Sequence, residues 1–179
     1  ITLLLLGVSA GIMADLFGMK SRSANALLGA ALVVFPSWTG TFFYMFTAPY
    51  YALAVLLSVV SVRLMVLCKK GLLPSVLLLA CSLGIYQSYL PFTATFYVAL
   101  LVLMLFEDKY GYWDILKRAL SYLFNLILSV LLYFGCMKLS LMITGQELTT
   151  YKGISSMGRM ELSRIPEILR TIGVNFFGI

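Results

Sequence analysis

The residues of this chain that could bind or shift polar groups fall in three short stretches. Tyr86-Gln87-Ser88-Tyr89 closes an otherwise apolar run at 72–91, LLPSVLLLACSLGIYQSYLP. Gln87 carries an amide, and an amide in oily surroundings must find a partner, because an unpaired one costs several kcal/mol. Two uses fit. The amide lines an outward cavity and hydrogen-bonds a sugar or phosphate, with Tyr89 beside it. Alternatively it ties one helix to another, a bond worth about 0.6 kcal/mol in a membrane. The second stretch holds Trp38, with Tyr44, Tyr50 and Tyr51 following. Flat aromatic faces stack on sugar rings, and the same residue types also form the aromatic belts of membrane proteins. The third stretch holds Tyr151-Lys152-Gly153 and Arg159. Its basic side chains suit a lipid-linked phosphate or pyrophosphate, or plain headgroup contact.

The elements that must position these residues are helices. The chain has 179 residues, 61% hydrophobic and 11% charged, against roughly 25% charged in soluble domains. Its apolar runs are continuous rather than alternating, which disfavours a lipid-facing barrel. Four or more windows reach the ~18-residue apolar length that reads as a membrane span. The fold class is all-α, a polytopic transmembrane helical bundle. Spans are expected at 1–18, 26–35, 52–67, 72–90, 92–106 and 119–143, about six in all, with 171–179 opening a seventh. Pro91 is expected to stop the fourth. The fifth is short at ~1.5 Å per residue. One transmembrane domain covers 1–179. The chain starts at Ile1 inside an apolar run and is read as an internal fragment of a longer protein.

The segment 145–170 reads as an extracytoplasmic loop. Within it, 159–170 places Met160, Ile165, Ile168 and Leu169 on one side and Arg159, Glu161, Arg164, Glu167 and Arg170 on much of the rest. Ser163 is a candidate N-cap, and Pro166 is tolerable in a first turn. An amphipathic helix on the membrane surface and a solvated connector helix both fit.

Charge orients the spans. Lys20 and Arg22, then Lys69 and Lys70, then Lys109, Lys117 and Arg118 occupy alternate connections. The connections between them carry no charge. The positive-inside rule puts the basic connections in the cytoplasm and the loops at 36–50, 88–91 and 145–170 outside. Arg63, near a cytoplasmic span end, is expected to snorkel, and Asp15 reads as a helix-end residue.

The formal net charge of +6 therefore belongs to membrane topology and not to nucleic acid. There is no His, and the three Cys form no CxxC, so a metal site is not expected. No glycine-rich phosphate loop is present, and no cofactor is expected. The outer face has no pair of carboxylates spaced for acid–base work, and no residue within 1–179 is assigned as catalytic. A sugar donor used outside the membrane must then be lipid-linked.

Three segments together resemble the bacterial type II glucosyltransferase membrane family, the group that includes phage serotype-converting O-antigen glucosyltransferases. They are FPSW…APYYALAVLLSVVSVRL from Phe35, SLGIYQSYLPF from Ser82 and YKGISSMGRMELSRIPEIL from Tyr151. The Gly-Ile-Tyr-Gln-Ser-Tyr run is the most specific of them. The resemblance implies a GT-C type enzyme of the bacterial cytoplasmic membrane. Such an enzyme passes a hexose, glucose in this family, from a polyprenyl-phosphate donor to a cell-surface polysaccharide or related acceptor on the outer face. It implies an essential acidic residue in the first large outer loop, upstream of the spans seen here. The family also carries an acid or Asn after the Pro of the second outer loop, whereas Pro36 is followed by Ser37-Trp38-Thr39. Gln87 and Tyr151 carry over as substrate-binding residues. With Tyr89, Trp38 and Arg159 they complete the candidate set. A flippase for lipid-linked oligosaccharide is the alternative, disfavoured because the span interiors are nearly free of charge apart from Lys138. A structural subunit is the third reading.

Overall fold

Oily runs become helices whose ends are set by local signals. The computed structural model describes residues 1–34, 41–68, 70–107, 110–145 and 166. Among the described residues the chain forms six α-helices and no strand. They are α1 (Thr2–Leu16), α2 (Arg22–Val34), α3 (Ala48–Leu67), α4 (Leu72–Ile85), α5 (Tyr89–Leu105) and α6 (Tyr112–Thr144). α1 ends in a Schellman motif: Gly18 takes φ 65°, and the amides of Gly18 and Met19 reach back to the carbonyls of Asp15 and Ala14. The Ser21 hydroxyl accepts from the Ala24 amide at 3.5 Å ahead of α2. Pro49 sits in the first turn of α3, where its missing N–H costs nothing.

α3 is the hub of the first compact unit, Ile1–Met137. It packs most extensively on α4, then on α1 and α5, while α2 folds back on α1. Ala52, Val55, Val59 and Val62 of α3 meet Leu6 and Met13 of α1, Phe96, Tyr97 and Leu100 of α5, and Tyr122 of α6. Ala54, Ser58 and Ser61, at helical spacing on another side of α3, meet α4. The α3–α4 connection is tight, and a Cβ on Gly71 would collide with the Leu64 carbonyl.

Polarity in α6 is inverted relative to a soluble helix. Its buried residues are Tyr122, Asn125 and Ser129. Leu120, Leu123, Phe124, Ile127, Leu131 and Phe134 are exposed. Such a face is a liability in water and ordinary against lipid. Among the described residues, α3 and α6, with 20 and 33 residues, are the two helices long and apolar enough to cross a membrane. The other four run from 13 to 17 residues, or about 20–26 Å at 1.5 Å per residue, against a ~30 Å hydrocarbon core.

In the second unit, Lys138–Ile179, the described part of the helix ends where the Thr144 hydroxyl donates to the Ser140 carbonyl and Gly145 takes φ 63°. The expected amphipathic helix at 159–170, apart from Pro166, and the expected seventh span lie outside the described residues.

α2 and α3 each begin about one turn before the spans expected at 26 and 52, and other boundaries differ in ways that matter more. The span expected over 72–90 stops at Ile85, because Tyr86 is extended at φ −157°, ψ 117°. Pro91 does not end a helix. It lies in the first turn of α5, where a backbone N–H has no helical partner to lose. α6 starts about two turns before 119: the Gly111 carbonyl accepts from Asp114 and Ile115, and Asp114 favours a helix N-terminus. Arg63 is also not simply snorkelling. Its Nη2 sits 3.1 Å from Asp15 Oδ2, tying the C-terminal ends of α1 and α3 together.

Candidate functional site

At the other end of α3 lies a cavity of about 700 Å³. Leu28, Ala31 and Leu32 of α2 form one wall, and Val55 of α3 contributes to it. The opposite wall is Tyr86, Ser88, Tyr89, Pro91, Phe92 and Thr95, with Thr41 also on the rim. The site is therefore two-faced: aliphatic from α2 and α3, aromatic and hydroxylated from the α4–α5 connection and the first turns of α5. The Thr95 hydroxyl donates to the Pro91 carbonyl at 2.8 Å, and the Thr93 hydroxyl donates likewise to Tyr89 at 2.9 Å.

The aromatic wall is braced from below. Tyr51 of α3 meets Tyr86 edge-on at 5.1 Å, Tyr86 meets Tyr89 at 5.6 Å, and Tyr89 meets Phe92 at 6.3 Å. Phe92 then touches Phe96, which meets Phe17 at 5.1 Å. Such edge-to-face contacts add about 0.5–1.5 kcal/mol each beyond burial. Rings at the rim thus continue into the core.

The sequence candidates separate in space. Tyr89 is half-buried and lines the cavity. Gln87 does not line it. Its Nε2 donates to the Tyr133 hydroxyl of α6 at 2.6 Å, and the residue is exposed. Tyr51 braces the wall, whereas Tyr44 and Tyr50 are exposed. Trp38, Tyr151 and Arg159 lie outside the described residues. Among the described residues no three His, Cys, Asp or Glu gather as a metal set, and none of the cavity's lining residues is charged.

What sequence reasoning missed is the polar seam that supports the site. Ser61 Oγ lies 2.9 Å from both Ser75 Oγ and the Ser75 carbonyl. Asn125 Nδ2 donates to Ser75 Oγ at 2.9 Å, and the Tyr97 hydroxyl donates to Asn125 Oδ1 at 3.1 Å. The Tyr97 ring stacks on Tyr122 at 4.4 Å. Further along, Ser58 and Ser82 hydroxyls meet at 2.8 Å, and Ser82 donates to the Ala54 carbonyl. No buried side-chain polar atom among the described residues lacks a partner. The available signal was Ser58 and Ser61 on one helix facing Ser75 and Ser82, seven apart, on the next, with a single Asn125 in the last oily run.

The family model described as Glucosyl transferase GtrII matches residues 1–178. The chain belongs to the GtrII glucosyl transferase family. Its activity class is accordingly glycosyl transfer, which needs a sugar donor and an acceptor. In this GtrII member the cavity sets an aromatic, hydroxyl-bearing wall against an aliphatic one. No curated protein and no solved structure matches the chain.

Proposed function

We propose that this chain is part of a multi-pass glycosyltransferase of the bacterial cytoplasmic membrane, with a GT-C type helical bundle. It moves glucose from a polyprenyl-phosphate donor to a cell-surface polysaccharide or related acceptor on the outer face. The observation that carries the reading is the two-faced cavity of about 700 Å³. The rings of Tyr86 and Tyr89 offer faces and hydroxyls to a hexose. The aliphatic wall of α2 suits the first isoprene units that follow the phosphate. The connections around the cavity, 41–47 and 86–88, carry no charge, as extracytoplasmic loops do.

Trp38 is assigned to sugar stacking, and Tyr151 and Arg159 to the donor's phosphate. Because no described carboxylate lines the cavity, the acid that orients the donor or takes the acceptor's proton comes from outside the described residues. The test uses the full-length protein in lipid vesicles with polyprenyl-phosphate carrying radiolabelled glucose. Label should pass to the acceptor, and Tyr89→Ala should lower transfer while leaving insertion intact. Transfer from a nucleoside-diphosphate glucose alone would overturn the donor assignment.

A further inference from the structure

Gln87 sits between two cavity-lining neighbours and yet faces away from the cavity. Tyr86 and Ser88 line the site, and Gln87 between them reaches α6. Tyr86 is extended and Ser88 has helical backbone angles, so the chain turns at Gln87, whose side chain reaches α6. The α4–α5 connection is a tight turn: Tyr89 N–H reaches the Tyr86 carbonyl at 3.3 Å, and Leu90 N–H reaches the Gln87 carbonyl at 3.1 Å. Tyr51 of α3 packs against its Tyr86 ring, and the 2.6 Å amide–phenol bond of Gln87 adds a directional tie to α6. That helix is itself fixed about two turns away, where Asn125 joins Ser75 and Tyr97.

We propose that Gln87 and Tyr133 form a latch that sets the cavity's aromatic wall, making both positioning residues for glucosyl transfer, with Gln87 acting through Tyr133 and not on the sugar. Pulling Gln87 toward α6 turns Tyr86 and Ser88 toward the opposing α2 wall. The inference rests on the proposed transfer activity only for its kinetic readout.

Two measurements test it in the full-length protein. First, Tyr133→Phe and Gln87→Ala should each raise the KM for the lipid-linked donor by the same factor, roughly two- to tenfold as one hydrogen bond supports, with little change in kcat. The double variant should be no worse than either single one. A Gln87→Ala defect far exceeding that of Tyr133→Phe would overturn the latch, as would additive defects. Second, with Cys68, Cys81 and Cys136 replaced by Ser, a Ser88→Cys reporter is labelled with a membrane-impermeant maleimide. Adding Tyr133→Phe, which removes one hydroxyl from a half-buried residue within α6, should change the labelling rate at least twofold. An unchanged rate sinks the latch whether or not the protein transfers glucose. Absence of transfer by the wild type, with the labelling change present, sinks the functional reading alone.

Discussion

Two polar regions of this molecule use similar groups for opposite ends. The seam of Ser61, Ser75, Asn125 and Tyr97 is fully buried, and every hydroxyl and amide in it is paired inside the protein. The cavity rim carries Tyr86, Ser88 and Tyr89 on a connection that is half-buried or exposed. In the seam, an amide joins three helices, from Ser75 on α4 through Asn125 on α6 to Tyr97 on α5. At the rim, side chains remain free to meet a ligand because the shape is held from outside, by ring contacts below and by Tyr133 beside. Closed polarity fixes where helices lie, and open polarity can then be offered to a substrate.

Breaking the seam should cost the most stability. Asn125→Ala removes the buried partner of the Tyr97 hydroxyl and one of the two side-chain partners of Ser75, and should lower unfolding free energy by roughly 1–3 kcal/mol in detergent-titration measurements. Ser58→Leu comes next. The Ser58 and Ser82 hydroxyls are 2.8 Å apart, so a larger side chain wedges α3 from α4 at a cost of about 1–2 kcal/mol. Tyr89→Phe should cost less than about 1 kcal/mol of stability, because it keeps the ring contacts with Tyr86 and Phe92, yet it should reduce glucosyl transfer roughly two- to tenfold by removing a hydroxyl. If it destabilises as strongly as Asn125→Ala, the rim is structural and the contrast collapses. Asp15→Asn should do least. With side chains 60% and 41% exposed, its pair with Arg63 is worth about 0.2–1 kcal/mol, and salt should erase the difference.

Much of the helix order was legible because apolar runs and their interruptions are one-dimensional signals. The basic clusters near Lys20 and Lys70, and the break at Tyr86–Tyr89, fell where helices end. Pro91 misled because proline bars a helix interior and suits its first turn equally well, and only the neighbouring helix decides which applies. The seam was illegible for another reason. A serine in a leucine-rich run barely shifts local hydropathy, and Ser58, Ser61, Ser75 and Ser82 acquire meaning only when α3 and α4 lie side by side. Gln87 was recognisable as a residue needing a partner. Which side it faced depended on the extended backbone at Tyr86, which its spacing along a presumed helix could not disclose. Asn125 passed unnoticed for lack of any neighbour in sequence.

The tight turn at Gly71 has a consequence for how this chain is made. α3 and α4 follow one another with almost no connecting chain, and the clearance at Gly71 admits no side chain. The two helices therefore leave the ribosome as one continuous hairpin stretch. Ser58 with Ser82 and Ser61 with Ser75 pair within that hairpin alone, so these hydroxyls need no third helix to satisfy them. Asn125 emerges some forty residues after Ile85 and finds Ser75 already in place as a docking point. Biogenesis on this scheme has an order written into it, hairpin first and the long last helix second, and a bulky residue at 71 would disturb assembly before it disturbed any finished contact.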